Sequence, residues 1–254
     1  MIKKHWFRSF TLSVVASLLA CSSLAAAQAK PAPTGPKAGN ISALLPTAKI
    51  TRGTGQNKTV TTANKGDDVV WNDLIQTEKG GRARILLNDQ SVISLGSQAE
   101  LRIIKHDNRS QQTAMQLTYG RVRLQVSTIT RDAGRFELRT PTAVAGVIGT
   151  EFGTDSSLPG VTDFICISGM VTVANEDSKV GGSVQCPAGS TTTVNKGLPP
   201  TAPKPATQQQ IRQLIQDTEP AVISSFSPAS AILGTEVISA VTGSKMLGIN
   251  AVTI

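Results

Sequence analysis

Short runs of alternating apolar and polar residues, separated by turn residues, make up the chain from about residue 43 to residue 195. The segments Val122–Val126 and Arg135–Arg139 have an apolar residue at every second position. Because successive side chains of a strand point to opposite faces of a sheet, this pattern predicts strands with one buried and one solvated face. Two further runs, Arg82–Leu87 and Val92–Leu95, are joined by Asn88–Ser91, which predicts a hairpin.

No long helical pattern interrupts this region, which excludes a parallel fold of alternating strands and helices. We expect an all-β core in which antiparallel strands form a sandwich or a short β-helix-like barrel. The segment 28–42 is predicted to be a flexible leader, because it is rich in Pro, Gly and Lys and has no apolar periodicity. The β domain would then cover 43–195, and 196–206 would be a Pro-rich linker.

A short helical appendage is predicted after this linker. Thr207 and Gln210 have the spacing of a capping box, and Ile211 and Leu214 share one face of the helix that would follow. The tail, 221–254, mixes Ala, Ile and Val with Ser, Gly and Pro. It is compatible with a second short helix near Ser230–Val241 and equally with an extended segment.

The first 27 residues have the pattern of a signal peptide. A basic start, Met1–Arg8, precedes an apolar run, Phe10–Ala20, and the small residues Ala25–Ala27 provide a cleavage site. We therefore expect an exported protein, periplasmic or secreted, with no membrane span after cleavage. The segment Leu18–Cys21 also resembles a lipobox, so a lipoprotein anchored through Cys21 is the alternative. Cleavage removes three basic residues and would lower the formal net charge from +8 to +5.

Two cysteines, Cys166 and Cys186, remain after cleavage. An even pair in an oxidising compartment predicts a disulfide. A zinc site would need two further ligands, and a catalytic thiol would need a base that the nearby sequence does not supply. The predicted bridge would close a loop of about 20 residues and contribute around 3 kcal/mol to stability.

Four sequence blocks of the β-rich region stand out by their order and spacing. They are Gly66–Thr77 (GDDVVWNDLIQT), Gly81–Ser91 (GRARILLNDQS), Leu117–Val122 (LTYGRV) and Thr140–Phe152 (TPTAVAGVIGTEF). Together they resemble the FecR-type domain family of bacterial envelope proteins, over roughly residues 43–195. The residues that match the family motif are Gly66, Asp67, Asp73, Thr77, Gly81, Arg82, Ala83, Gly120, Thr140, Pro141, Gly146, Gly149, Thr150 and Phe152. Asn72 and Gln90 stand where the family usually has glycine.

The matching residues are predicted to be structural. Gly146 and Gly149 lie in an apolar run, where glycine marks a bulge or a close approach of neighbouring strands. Asp67 and Asp73, each beside a turn, can accept hydrogen bonds from backbone N–H groups. The block Thr140–Phe152 is accordingly expected to be a buried element, with Ile148 among its core side chains.

The sequence offers little catalytic chemistry. Asp67, Asp68 and Asp73 could pair as the carboxylates of a hydrolase, but turn capping is the favoured interpretation. His106, the only histidine left after cleavage, is predicted to lie in a solvated hairpin loop and cannot form a multi-histidine metal site. No Walker-type loop, zinc motif or nucleophile elbow is present in the sequence. We expect a non-enzymatic protein with no metal and no cofactor.

Basic residues recur on the predicted strands: Arg82, Arg84, Arg102, Lys105, Arg121, Arg123, Arg135 and Arg139. Nucleic acid is not the expected partner, because the protein is exported and only 4% of its residues are aromatic and able to stack on bases. An envelope protein or an acidic envelope polymer fits better. The alternative is that these side chains only fill the solvent side of an antiparallel sheet.

The resemblance implies relatives in which this domain lies outside the inner membrane and senses a signal from an outer-membrane receptor. In those relatives a cytoplasmic N-terminal segment passes the signal to a sigma factor. About nine residues precede the apolar run here, too few for such a segment, so we do not expect a one-chain sigma regulator. The expected function is that of an exported module that binds a protein or an envelope polymer, in envelope sensing or surface assembly. A purely structural envelope protein is the alternative, and a hydrolase using Asp67 or Asp73 is a distant third.

Overall fold

The computed structural model describes residues 35–220, 222–227 and 240–244, which form two nine-stranded sheets and a separate two-stranded hairpin. In chain order the elements are β1 (Lys37–Leu45), β2 (Ala48–Arg52), β3 (Thr59–Thr62), β4 (Asp68–Val70), β5 (Leu74–Thr77), β6 (Arg82–Leu87), β7 (Val92–Leu95), β8 (Glu100–Asp107), β9 (Gln112–Tyr119), β10 (Arg121–Gln125), β11 (Arg135–Arg139), β12 (Ala143–Val147), β13 (Glu151–Asp155), β14 (Val161–Ser168), β15 (Met170–Asn175), β16 (Ser183–Pro187), β17 (Ser190–Asn195), β18 (Lys204–Pro205), α1 (Gln208–Thr218), β19 (Val222–Ser227) and β20 (Ala240–Ser244). Sheet A has the order β18-β17-β14-β13-β10-β7-β6-β1-β4, and sheet B the order β16-β15-β12-β11-β9-β8-β5-β2-β3.

The inward faces of the two sheets share one apolar core. Every second residue of β6, from Ala83 to Leu87, is buried, and the same alternation runs through much of β8 and β9. The bulkiest core side chains are Phe136 of sheet B and Phe152 and Phe164 of sheet A. Full burial of such a side chain is worth roughly 1.5–3 kcal/mol. The all-β class is therefore confirmed, in its sandwich form.

The predicted hairpin forms as β6 and β7, with Ile85 opposite Ile93. Most neighbouring strands are antiparallel, but β9 and β11 run parallel because the chain crosses from sheet A to sheet B between β10 and β11. The side-chain oxygen of Gln111 accepts hydrogen bonds from the backbone N–H groups of Thr130 and Arg131, each at 2.9 Å. Gln111 thereby fixes the path of this crossing.

Two boundaries predicted from composition are wrong. Residues 37–42 of the predicted flexible leader belong to β1, Lys37–Leu45, which pairs with β4 and β6. Gly39 allows this close pairing, since a Cβ atom there would lie 2.1 Å from the carbonyl oxygen of Leu86. The predicted linker 196–206 contains β18, which pairs with β17 and extends sheet A.

The capping box of α1 is confirmed. Thr207 Oγ1 accepts a hydrogen bond from Gln210 N at 3.2 Å, and Gln210 Oε1 accepts one from Thr207 N at 2.8 Å. In the tail, β19 and β20 pair as an antiparallel hairpin, so the extended alternative holds at Ala240 and Val241. The predicted signal peptide with Cys21, residues 28–34 of the predicted leader and the stretch 228–239 lie outside the described residues.

Within the described residues, no helix has the length and apolar character needed to cross a membrane.

Candidate functional site

The two motif carboxylates are turn caps. Asp73 is fully buried; its oxygens accept hydrogen bonds from Arg52 at 2.8 and 2.6 Å and from Val70 N at 2.9 Å. This contact, above all, raises the pKa of the Arg52 guanidinium. Asp67 accepts a hydrogen bond from Asn64 N at 2.8 Å. Both carboxylates therefore hold corners of the chain together, as expected from their place beside turns.

Several motif positions owe their identity to backbone conformation or to close packing. Gly66 and Gly120 both have φ of 92°, a left-handed conformation that favours glycine. Asn72 and Gln90, which replace the family's glycines, keep the same type of conformation with φ of 67° and 69°. Gly81 has no room for a side chain, because a Cβ atom would lie 2.4 Å from Thr47 O.

Buried hydroxyl groups join the ends of several strands. Thr77 Oγ1 donates to Gly96 O at 2.6 Å and accepts from Ala99 N at 2.8 Å. At the other end of the sandwich, Thr162 Oγ1 lies 3.0 Å from Thr140 Oγ1, and the hydroxyls of Thr142 and Ser156 also contact it. Thr140 of the motif therefore belongs to a buried hydrogen-bonded network.

The block Thr140–Phe152 is only partly the buried element that the sequence predicts. Phe152 is fully buried, and Thr150 Oγ1 donates to Met170 O at 3.0 Å. Gly149 has φ of 64° and lies against Thr128, so it is a turn residue. Two expectations are wrong: Ile148 is 67% exposed, and no atom would lie within 4 Å of a Cβ at Gly146.

The predicted disulfide is also wrong in this structure. Cys166 on β14 of sheet A and Cys186 on β16 of sheet B are free thiols, both fully buried in the apolar core. Burial, and secondarily the neighbouring Cys186, raises the pKa of the Cys166 thiol to about 11, and burial also raises that of Cys186. Both groups therefore behave as small apolar side chains.

His106 lies at the end of β8 and is buried, not solvated. Its Nδ1 lies 2.9 Å from Thr113 Oγ1, and its Nε2 lies 3.8 Å from Asp89 Oδ1 with no hydrogen-bond partner. A polar cavity of about 90 Å³ lies beside it, lined by Asp89 and Thr113 among others. Burial lowers the pKa of the His106 imidazole against the opposing influence of Asp89 and Asp107.

Helix α1 covers much of the basic outer face of sheet A. Arg123, predicted to face water, has a side chain only 6% exposed; it pairs with Glu151 at 2.7 Å and with Glu219, just after α1, at 3.3 Å. Glu219 also pairs with Arg84 at 2.7 Å, and Asp217 pairs with Arg121. The acidic residues at the end of α1 therefore neutralise the arginines beneath them.

The backbone of α1 contributes to the same contact: Arg82 Nε, on the motif strand β6, donates to Asp217 O at 2.9 Å. A cavity of about 240 Å³ remains between α1 and sheet A, with Arg121, Asp155, Asp163 and Lys204 in its lining. Sequence reasoning missed this contact. The sequence feature that indicates it is the pair of acidic residues at 217 and 219, which can form ion pairs with arginines at alternate positions of the strands.

The outer face of sheet B has no such cover among the described residues. Lys105, Arg135 and Arg139 lie on it, and Glu137 is held between the two arginines at 2.5 and 2.6 Å. Two shallow depressions lie on either side of Arg135, of about 360 Å³ toward Lys105 and about 340 Å³ toward Ile148. In the described part of the chain, no cluster of three or more His, Cys, Asp or Glu side chains could hold a metal ion.

The geometry is that of a β-sandwich module in which Gly66, Asp73 and Gly81 have turn, ion-pair or packing roles, and whose two basic faces differ in cover. The model of the family described as FecR protein matches residues 73–172, which confirms the predicted resemblance over this part of the chain.

Crystal structures at 2.50 and 1.65 Å resolution of a proposed anti-sigma factor from Parabacteroides distasonis are similar to this chain. Each shares 16% identity with a TM-score of 0.47 and covers 59% of this chain. The chain spans 66% of the length of that protein. No curated protein matches the sequence.

Proposed function

We propose that this chain is an exported, non-enzymatic FecR-type module that binds an acidic partner protein in the cell envelope through the outer face of sheet B. The proposal rests on one observation: α1 covers the basic outer face of sheet A, whereas none of the described residues covers the basic outer face of sheet B. The arginines of sheet A are paired with the acidic end of α1. On sheet B, Glu137 pairs with Arg135 and Arg139, and Glu176 pairs with Arg139, yet the Arg135 side chain is 71% exposed and that of Arg139 is 44% exposed.

A protein suits this face better than an acidic envelope polymer does. Beside Arg135 lie two large apolar side chains, Ile148 at 67% and Met170 at 45% exposure. Exposed apolar groups next to charged ones mark a surface that another protein covers, whereas a polyanion would contact the charges alone. The polymer and a purely structural role remain the alternatives that the experiment below distinguishes.

The contacts of Asp67 and Asp73 support the proposal that the protein is not an enzyme. Asp73 is buried and its oxygens are occupied by Arg52 and Val70 N, so it is poorly placed to activate water. Asp67 caps a turn through Asn64 N. Export is proposed from the N-terminal sequence pattern alone.

Site-specific photo-crosslinking in the producing cell tests the proposal. A benzophenone-bearing amino acid replaces Ile148 on sheet B or, as a matched control, Leu158, which is 66% exposed and lies in the β13–β14 connection of sheet A. We expect a protease-sensitive adduct from position 148 and none from position 158.

Three other results would contradict the proposal. A protease-resistant adduct would indicate the polymer, and an adduct with a second copy of the chain would indicate a structural assembly. Equal yields of adduct from positions 148 and 158 would show that the outer face of sheet B is not the binding surface.

A further inference from the structure

Gly146 lies in the middle of a regular strand without any structural need for glycine. It is the fourth residue of β12, opposite Glu137 of β11 and Thr172 of β15. Its φ is not in the left-handed region, and a Cβ atom there would meet nothing within 4 Å. Gly153 differs, because a Cβ there would lie 2.2 Å from Leu214. Glycine inside a strand weakens it, so position 146 carries a cost that packing does not explain.

The missing side chain opens a groove on the outer face of sheet B. Ala145 and Val147 point into the core, so position 146 points outward, toward the approximately 340 Å³ depression. Ile148 and Met170 border this depression and are exposed. We call it the Gly146 groove and define it by Arg135, Gly146, Ile148, Met170 and Thr172.

The charge beside the groove indicates what it can accept. Arg135 lies between this groove and the approximately 360 Å³ depression toward Lys105, and the nearest carboxylate, Glu137, is already held by Arg135 and Arg139. Arg139 also pairs with Glu176 at 3.1 Å. Three cations, Lys105, Arg135 and Arg139, against two anions leave a net charge of +1, so carboxylates of a partner are favoured there. Neighbouring strands are about 4.8 Å apart, so the path from β15 to β8 is roughly 19 Å, the length of about six extended residues.

We infer that the Gly146 groove receives one large apolar side chain of an extended, acidic protein segment, with the adjacent carboxylates of that segment bound at Arg135. The inference rests on the proposed function and names the recognition element of the same face. The absence of a side chain at position 146 makes room for the anchor, and Ile148 and Met170 form its walls.

Selection of a random displayed peptide library on the purified full chain tests this inference. We expect enrichment of peptides with a large apolar residue flanked by Asp or Glu. Gly146→Val should reduce binding of the selected peptides at least tenfold, and Arg135→Gln should reduce it severalfold with a weaker dependence on salt. Gly181→Val, at another glycine whose Cβ would meet nothing within 4 Å, is the matched control and should bind as the unchanged protein does.

Folding is checked in the same experiment. Gly146→Val should melt at the same temperature or higher, because a β-branched residue suits a strand. If the selected acidic peptides bind Gly146→Val unchanged but are lost on Arg135→Gln, the groove is wrong and the basic face stands. If no acidic peptide is enriched over an unrelated protein, both the groove and the proposed function are wrong.

Discussion

Leu214 of α1 lies directly over Gly153 of β13: a Cβ atom at position 153 would be 2.2 Å from Leu214 Cδ2. Leu214 is only 4% exposed, so this contact is the apolar centre of the helix docking. Around it lie the ion pairs of Arg84 and Arg123 with Glu219. One glycine of sheet A therefore allows α1 to cover the arginines of that sheet.

We predict that Gly153→Ala destabilises the protein by about 1–3 kcal/mol, because the added methyl group overpacks the contact with Leu214. Urea unfolding measures the change. The clash is absent from the double variant Gly153→Ala/Leu214→Ala, so its loss of stability should be smaller than the sum of the losses in the two single variants. Gly146→Ala, at an open position, should lose no stability. Equal effects of Gly153→Ala and Gly146→Ala would contradict this account of the docking.

Gln90→Gly is expected to stabilise the protein by about 1 kcal/mol, because Gln90 has φ of 69° and a left-handed conformation strains residues with a side chain. The comparison is Gln116→Gly, at an exposed position within β9 without positive φ, which should destabilise by about 0.5–1 kcal/mol. Thermal unfolding of the two variants gives the sign. A loss of stability in Gln90→Gly would show that its side chain stabilises the turn.

Stability should fall as the pH is lowered through the ordinary range of histidine titration. Burial lowers the pKa of His106 in the folded protein, so the unfolded chain, with a histidine pKa of about 6.5, binds the proton first. The free energy of unfolding therefore decreases as the pH falls below about 6.5, until the folded pKa is reached. His106→Gln should flatten this part of the profile in urea unfolding between pH 7.5 and pH 5. An unchanged slope in the variant would assign it to other groups.

The two thiols should be unreactive while the protein is folded. Burial raises the pKa of Cys166 to about 11 and raises that of Cys186, so neither is a thiolate at pH 8. A chromogenic disulfide reagent should react slowly with the native protein and quickly with both cysteines in urea, without added reductant. If the reagent detects no thiol in urea until a reductant is added, Cys166 and Cys186 form a disulfide, which would contradict the free thiols of the structure.

The sequence predicts elements whose cause is local and misses those whose cause is distant. The hairpin of β6 and β7 and the capping box at Thr207 follow from residues a few positions apart, and both form as predicted. The strand β1 was missed because its Pro-, Gly- and Lys-rich surroundings have no periodicity, and it is held by β4 and β6.

The candidate site divides in the same way. The turn-capping role of Asp73 follows from its place beside a turn, although Arg52, its ion-pair partner, lies on a different strand. The cover of Arg123 was missed, because Glu219 is remote in sequence and reaches Arg123 only when α1 docks. The exposure of Ile148 depends on which face of sheet B remains open, which a local apolar pattern does not encode.

The proposed function depends on one difference: α1 covers the basic outer face of sheet A, whereas none of the described residues covers that of sheet B. Modification of the native full chain by an arginine-specific dicarbonyl reagent, followed residue by residue with mass spectrometry, tests it most directly. The Arg135 side chain is 71% exposed and that of Arg123 is 6% exposed, so we expect Arg135 to react quickly and Arg123 to be protected until the protein unfolds. Equal rates at the two positions, or faster modification of Arg123, would contradict the division of the two faces and the function proposed from it.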